Sequence, residues 1–308
     1  SAYFLERELD LLKENGVFGN IIAGSIAVNK GLTPSRTLIR ESLVKPKVAF
    51  IGTRPSRIFH DVEKRVCIIL GIKDTSQVSS IYSSKNIRFR KEDRPKLLDN
   101  LTFENTEGLI LGSRIGVRGD KERTRLPKIG KKQTRTILET LKRISNEEGI
   151  VEEIISPGDF SLDFRKSGGY WLHALQQFPY KSTKIQSISF DSEVERNFVL
   201  LIINSSLFYL FWSVYGNNRD LNVGLINMFP VPSKNKLVKK EQRIRELSNK
   251  VNNALLDCFD EYVGRMGEFN TGKCKHVIDE IDILSGELYE LSPEQIKYIQ
   301  SYDNHIRR

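Results

Sequence analysis

Three short, nearly continuous apolar runs restrict this chain more than anything else in it. They are Val17 to Ala23, Val48 to Gly52 and Arg65 to Leu70, the last containing Val-Cys-Ile-Ile-Leu. A strand without polar–apolar alternation is expected to be buried on both faces, as in sheets flanked by helices. Between the first two runs, Ser35 to Leu43 reads as a helix with Pro34 near its first turn. The order strand, helix, strand, loop, strand predicts the α/β class. It also predicts a partial sheet, because a complete doubly wound domain needs more strands.

Ahead of this unit, Tyr3 to Lys13 is an amphipathic helix with Phe4, Leu5, Leu9, Leu11 and Leu12 near one face, stopped by Asn15-Gly16. The pattern starts inside a helix, so the chain is expected to be a fragment. Ile81 to Arg90 reads as a linking strand, and Leu109 to Lys132 is rich in Gly, Arg and Lys with almost no apolar periodicity. Helix signals return over Lys132 to Ile144. Ser156 to Ser189 is loop and short strand, and Val194 to Tyr215 is a strongly apolar helical stretch ended by Gly216-Asn217-Asn218. Val238 to Met266 reads as one long helix on the spacing of Ile244, Leu247, Val251, Ala254, Leu255 and Cys258. Lys275 to Leu288 reads as another, and Pro293 opens a last one with Ser292 as its cap. These patterns give four segments: 1–75, the partial sheet; 76–135, a basic connection; 136–235, an α+β domain; and 236–308, C-terminal helices.

No apolar run reaches the roughly 20 residues that cross a bilayer. The nearest, Phe198 to Phe211, is interrupted by Asn204, Ser205 and Ser206, so no membrane partner is expected. Cys67, Cys258 and Cys274 show no metal-ligand or disulfide spacing, which fits a reducing cytoplasm and no metal site. The net charge of +9 is unevenly placed. Lys85 to Arg135 holds 15 Lys/Arg against 7 Asp/Glu, whereas Lys236 to Arg308 holds 12 against 13. Concentrated positive charge attracts a polyanion and gains from counterion release. Nucleic acid is the expected partner; a solvated loop, or an acidic protein partner, is the alternative.

The common enzyme constellations are missing: no Gly-rich phosphate loop, no G-x-S-x-G, no H-E-x-x-H. His60, His173, His276 and His305 stand apart from one another, and the acidic clusters Glu152-Glu153 and Asp279-Glu280-Ile281-Asp282 read as salt-bridged or solvated helix faces. The informative loop is Thr53 to Val62, between two predicted strands, where Arg54 and Arg57 precede Phe59. Ligand sites of α/β sheets gather at strand-end loops. An enzyme that acts on a base must extrude it and hold it against aromatic surface. The plainer role for Phe59 is to plug the edge of the core.

Phe4-Leu5-Glu6 through Leu11-Leu12-Lys13-Glu14-Asn15-Gly16, then Ile21-Ile22-Ala23, resembles the segment after the catalytic motif of gamma-class N6-adenine DNA methyltransferases. These include the Taq-type and the large fused type II restriction–methylation enzymes. Pro55-Ser56-Arg57-Ile58-Phe59, with Val62 and Arg65-Val66-Cys67-Ile68-Ile69, resembles their eighth motif, whose aromatic stacks on the flipped adenine; Phe59 holds the matching position. Ile203-Asn204-Ser205-Ser206-Leu207-Phe208-Tyr209 through Arg219-Asp220-Leu221-Asn222 and Phe229-Pro230 resembles their target-recognition domain, with similar patterns in phage-exclusion methyltransferases. The resemblance implies an incomplete Rossmann-like methyltransferase sheet, then a target-recognition domain, then helices. It also implies double-stranded DNA as partner and S-adenosylmethionine as cofactor of the complete enzyme. The family's cofactor motif and its Asn-Pro-Pro-Tyr catalytic motif do not occur in the chain. No catalytic residue and no bound cofactor are therefore expected here alone; the missing methyltransferase half would come from the same polypeptide or another subunit. The alternative is a stand-alone DNA-binding specificity subunit without catalysis.

On this reading the pool for phosphate contacts is Arg54, Arg57, Arg88, Arg90, Lys91, Arg94, Arg114, Arg118, Lys121, Arg123, Arg125, Lys128, Lys131 and Lys132. Such contacts fix register without carrying sequence information. Base edges need planar bidentate groups or close backbone approach. Lys166 and Tyr170, beside Gly168-Gly169, form one candidate cluster for this, and Asn218, Arg219 and Asn222 a second. Core packing of Tyr170 and Trp171, and a turn that ends a helix at Asn217 to Asn222, are the respective alternatives.

Overall fold

A computed structural model describes residues 2–307 apart from 56, 60–62, 100, 113, 117–123, 168 and 263–264, with the side chains of 261–267 also left out of the description. The chain forms two compact units: residues 1–142 with 213–217, and residues 143–212 with 218–308. The predicted basic connection therefore falls within the first unit, and the C-terminal helices within the second.

The first unit is built on five strands: β1 (Val17–Ala23), β2 (Leu43–Ile51), β3 (Val66–Lys73), β4 (Tyr82–Ile87) and β5 (Glu104–Asn105). Helices α1 (Ala2–Leu11) and α2 (Thr33–Ser42) belong to it, and α3 (Lys132–Glu147) begins in it. The strand order is β1-β3-β2-β4-β5. Only β2 and β4 run parallel; β3 is antiparallel to both its neighbours. The period-two rule divides the side chains cleanly. Phe18, Val48, Phe50, Cys67 and Ile69 point to the face covered by α1 and α2, through Leu5, Leu9 and Ile39.

The opposite face is only partly covered. Ile51 and Val66, with Ile68 beside them, pack under Phe89, Ile58 and Leu97. Beyond them Val17, Ile21, Leu70 and Ile72 remain between 46% and 77% exposed. Register explains why they share that face, since Val17 opposes Ile72 and Ile21 opposes Ile68. The expectation of a sheet buried on both faces is thus corrected: the sequence reports apolar side chains on both faces, but described residues cover one face and a corner of the other.

The second unit combines a three-stranded antiparallel sheet with helices. β6 (Phe160–Arg165) lies between β7 (Ala174–Leu175) and β8 (Ile185–Phe190). The predicted single apolar helix is two helices, α4 (Glu193–Asn204) and α5 (Ser206–Tyr215), bent by 68°. The polar triplet at the break is held by side-chain and backbone hydrogen bonds. Asn204 accepts from the Ala174 amide at 3.2 Å and donates to its carbonyl at 2.8 Å, extending the edge of β7. Ser205 Oγ accepts from the Phe208 amide at 3.0 Å. The carboxyl group of Asp282 accepts from the Ser206 amide at 2.8 Å, at the N-terminus of α5. No single helix is long and apolar enough to cross a membrane.

Short helices α6 (Val223–Ile226) and α7 (Lys234–Lys239) lead into α8 (Glu241–Asp257). The heptad-like helix predicted to run to Met266 ends there, and the chain turns into a hairpin of β9 (Phe259–Tyr262) and β10 (Arg265–Phe269). Phe259 and Phe269 fold back onto Tyr180 and Phe178, so their apolar character serves an aromatic cluster instead of a helix stripe. α9 (Lys275–Tyr289), α10 (Pro293–Ser301) and α11 (Asn304–Arg307) complete the unit. Ser292 caps α10 as expected, its Oγ accepting from the Gln295 amide while the Gln295 side chain accepts in return. Phe229 makes edge contacts with Phe208, Phe211 and Tyr289 at the centre of this core.

Burial, opposed by the Ser206 contacts and by Lys275 and Arg307, raises the Asp282 carboxyl to about 7. Between about pH 4 and 7 the folded state keeps a proton that the unfolded state has released, so this group's contribution to stability falls as pH rises through that window. Wild type should lose about 1 kcal/mol per pH unit there relative to Asp282→Asn, which keeps the acceptor and cannot ionise. Urea midpoints of the two proteins from pH 4.5 to 7.5 check this; parallel curves would contradict it.

Candidate nucleic-acid interface

The loop between β2 and β3 lies at the end of the sheet where β1, β2 and β4 all finish. Its anchor is Ile58, which packs with Ile51, Val66 and Phe89. The next residue, Phe59, is turned outward and 41% exposed. Of the two roles open to an aromatic here, plugging the core edge is taken by Ile58. Ser56, His60, Asp61 and Val62 lie outside the described residues.

The chain beyond β4 returns to the same loop. Gly52 donates its amide to the Ile87 carbonyl at 2.9 Å. Arg94, in the helical turn Lys91–Lys96, donates its guanidinium to the carbonyl of Arg57, and Leu97 packs near Ile58. Arg54, Arg90, Lys91 and Arg94 are exposed, while Arg57 is half-buried and paired with Glu63 at 2.5 Å. The fold thus brings the predicted Phe59 loop and the first basic cluster together through Arg57 and Arg94, 37 residues apart in the chain, a proximity that charge counting could not supply.

The rest of the basic tract goes elsewhere. Gly130 donates to the Ser83 carbonyl, which sets Lys131 and Lys132, both exposed, near the start of β4 instead of its end. Arg114 is half-buried and Arg88 buried. Arg118, Lys121 and Arg123 lie outside the described residues.

Arg125 and Lys128 are buried. Arg125 donates to the Tyr215 carbonyl at 3.2 Å, and the Lys128 ammonium to the Gly216 carbonyl at 2.7 Å. Those carbonyls close the C-terminal end of α5, where the backbone dipole favours cations. Burial, with the charges of Arg125 and Arg65 nearby, holds Lys128 well below the usual ammonium range. Arg36 sits in the same electrostatic neighbourhood, held by the carbonyls of Ile26 and Asn29 and pushed down to about 10 by burial and then by Arg125. The expectation that Arg88, Arg125 and Lys128 lie on phosphates does not fit this geometry, since their positions are enclosed by protein.

In the second unit the two candidate base-reading clusters are neighbours. Ser167 and Asp220 form an antiparallel bridge, and the Leu221 amide donates to the Lys166 carbonyl at 2.6 Å. On the other side the Lys166 amide donates to the Lys184 carbonyl at 2.7 Å. Exposed Lys166, Lys184 and Arg219 thereby occupy adjoining backbone segments, with Tyr170 37% exposed and Gly169 opening onto free space. Lys184 had no signal of its own in the sequence and is identified only by strand pairing. Gly168 lies outside the described residues.

Two members of the second cluster follow the plainer reading. Asn218 takes a left-handed φ of 57°, the conformation that ends a helix. Asn222 accepts from the Leu225 amide at 3.0 Å and caps α6. The cations of the C-terminal helices are matched by carboxylates: Lys236 by Glu148 and Glu290, Lys240 and Arg243 by Glu287, Lys250 by Glu280. Buried His173 bonds to the Thr271 hydroxyl and is driven down to about 3 by burial and then by Arg165. Among the described residues no group of three or more His, Cys, Asp or Glu comes together.

The sequence matches no protein-family model and no curated protein. Solved structures with a loose likeness include the ATP-dependent type ISP restriction-modification enzyme LlaBIII bound to DNA, at 12% identity and a TM-score of 0.34, covering 84% of this chain and 26% of that one. Another is the type IIG restriction endonuclease BpuSI, at 12% identity and a TM-score of 0.29, covering 96% of this chain and 49% of that one. The chain therefore spans about a quarter and about half the length of these two proteins. The reading of the site rests on the chain's own residues.

Replacing Asn222 by Ala removes the α6 cap and should cost about 1 kcal/mol, whereas Asn222→Asp retains the acceptor and most of the stability. Denaturant unfolding of both variants tests this, and an Ala variant as stable as wild type would refute the capping role.

Proposed function

We propose that this chain supplies target choice and one wall of the adenine pocket to a site-specific DNA adenine-N6 methyltransferase of a restriction-modification or phage-defence system, acting in the cytoplasm. The observation that carries the proposal is Phe59: an exposed phenyl ring next to the anchor Ile58, on a strand-end loop that also carries exposed Arg54 and receives Arg94 at its Arg57 carbonyl. A flipped base needs an aromatic surface to stack on, and the nucleotides around it need cations for their phosphates.

The sheet supports the same reading. Among the described residues β1 pairs with β3 alone, at the edge of the sheet, and beside it Val17, Ile21, Leu70 and Ile72 are exposed. Open edges and large apolar patches are ordinarily covered. A further strand on β1 and an apolar layer over that face would complete the sheet, which is what the missing methyltransferase half would bring. The cofactor motif of the family that the sequence resembles does not occur in this chain. We place the cofactor and the methyl transfer on the other half. Lys166, Tyr170, Lys184 and Arg219 are the base-reading candidates of the second unit.

In enzyme reconstituted with a cofactor-bearing half, Phe59→Ala should lower methylation of duplex DNA by about 10- to 100-fold, the range expected for one lost stacking contact. Duplex affinity should change much less; equal losses in both would favour a specificity subunit without a catalytic role. Lys91→Ala should reduce the dependence of log affinity on log salt by about one. Lys128→Ala should leave that slope unaltered, because its ammonium is buried against Gly216. Affinity that stays flat as salt rises would overturn the DNA assignment and point to an acidic protein partner.

A further inference from the structure

Beneath the paired segments of the second unit runs a line of buried side chains with no assigned role. The Arg307 guanidinium lies between two aromatic rings, 4.0 Å from the centroid of Trp171 and 4.1 Å from that of Tyr209. It is buried, and its Nε donates to the Tyr170 carbonyl at 3.1 Å. Tyr209 in turn contacts Trp212, with ring centroids 5.6 Å apart. The indole N–H of Trp212 donates to the Asp220 carbonyl at 3.1 Å. One end of the line thus grips the Lys166–Tyr170 segment by its backbone, and the other grips the Arg219–Asn222 segment.

We propose that Arg307, acting through Tyr209 and Trp212, is the positioning residue that fixes these two segments as one DNA-reading surface. The proposal rests on the DNA reading given above. Planarity is what the place requires. A guanidinium can stack on both rings and still present Nε in its plane, whereas an ammonium is a point charge without a face. The gripped atoms are backbone carbonyls, those of Tyr170 and Asp220, so the line fixes the course of the two segments and not their side chains. Base discrimination depends on donors and acceptors held in register with base edges, whereas phosphate attraction tolerates movement. Loosening the line should therefore remove choice before it removes affinity.

The test selects duplexes from a randomised pool with the full chain, then repeats the selection with Arg307→Ala, Arg307→Lys and Trp212→Phe, the last keeping a ring without its donor. Thermal unfolding and exchange of the Leu221 amide are followed in each protein. The expected result is an enriched sequence with wild type, at least about a tenfold loss of enrichment over unselected duplex in the variants, and salt-dependent affinity for unselected duplex retained. Arg307→Lys should fail nearly as Ala does, and Leu221 exchange should quicken in a protein that remains folded. If Arg307→Ala does not fold, Arg307→Lys and Trp212→Phe decide. Variants that enrich the wild-type sequence equally well overturn the positioning role while leaving the DNA reading intact. Losses of enrichment and bulk affinity in equal measure overturn it as well, since they mark general damage. A wild-type chain that binds duplex but enriches nothing overturns the base-reading assignment itself.

Discussion

The second unit depends on the buried polar contacts that break its most apolar segment. At Asn204, Ser205 and Ser206 the helix stops, and three of the groups at the break are held: the Asn204 amide by a strand edge, the Ser205 hydroxyl by the Phe208 amide, and the Ser206 amide by the Asp282 carboxyl. An unpaired buried amide would cost about 1–3 kcal/mol, so the bend persists only because these partners are in place. The bend directs α5. Along it, Tyr209 and Trp212 meet surface segments of the second unit; the carbonyls of Tyr215 and Gly216, at its C-terminal end and within the first unit, receive Arg125 and Lys128.

That end of α5 shows why charge counted along a chain is a poor guide to charge presented to solvent. Arg125 and Lys128 sit in the most basic stretch of the sequence, yet they are spent on carbonyls inside the protein. Net charge still governs long-range attraction to a polyanion, since burial weakens a cation's field at the surface without abolishing it while it stays protonated. What burial removes is the short-range contact on which counterion release depends. The basic tract therefore separates into parts with different tasks: a cluster beside Phe59, an exposed pair opening α3, and a set of internal caps.

How much could be read beforehand follows the same division between local and long-range causes. β1, α2, α9 and the Ser292 cap came through closely, because apolar runs, helix-start proline and capping chemistry act over a few residues. The hairpin after Asp257 was hidden because the helix stripe runs unbroken to Cys258, and the partners that turn the chain, Tyr180 for Phe259 and Phe178 for Phe269, lie far back in the sequence. The break in the apolar segment was visible as three polar residues, but not its angle, which depends on Asp282 far along the chain. At the candidate site, Phe59 stood out by its place between strands. The division of labour between Ile58 and Phe59 did not, since it depends on Phe89 and Leu97 arriving from another segment. Asn222 looked like a base reader and proves to be a cap, two uses of one amide that composition cannot separate.

The bare strip across β1 and β3 has a consequence for how such a molecule can be made. Val17, Ile21, Leu70 and Ile72 border an unpaired strand edge, a surface to which any extended apolar chain could add, including a second copy of itself. A cell that produces this chain in excess of whatever shields the strip would accumulate it in self-associated form. Concentration itself then becomes a variable of the fold: the more of the chain is present with this strip bare, the more self-association competes with the separate molecule.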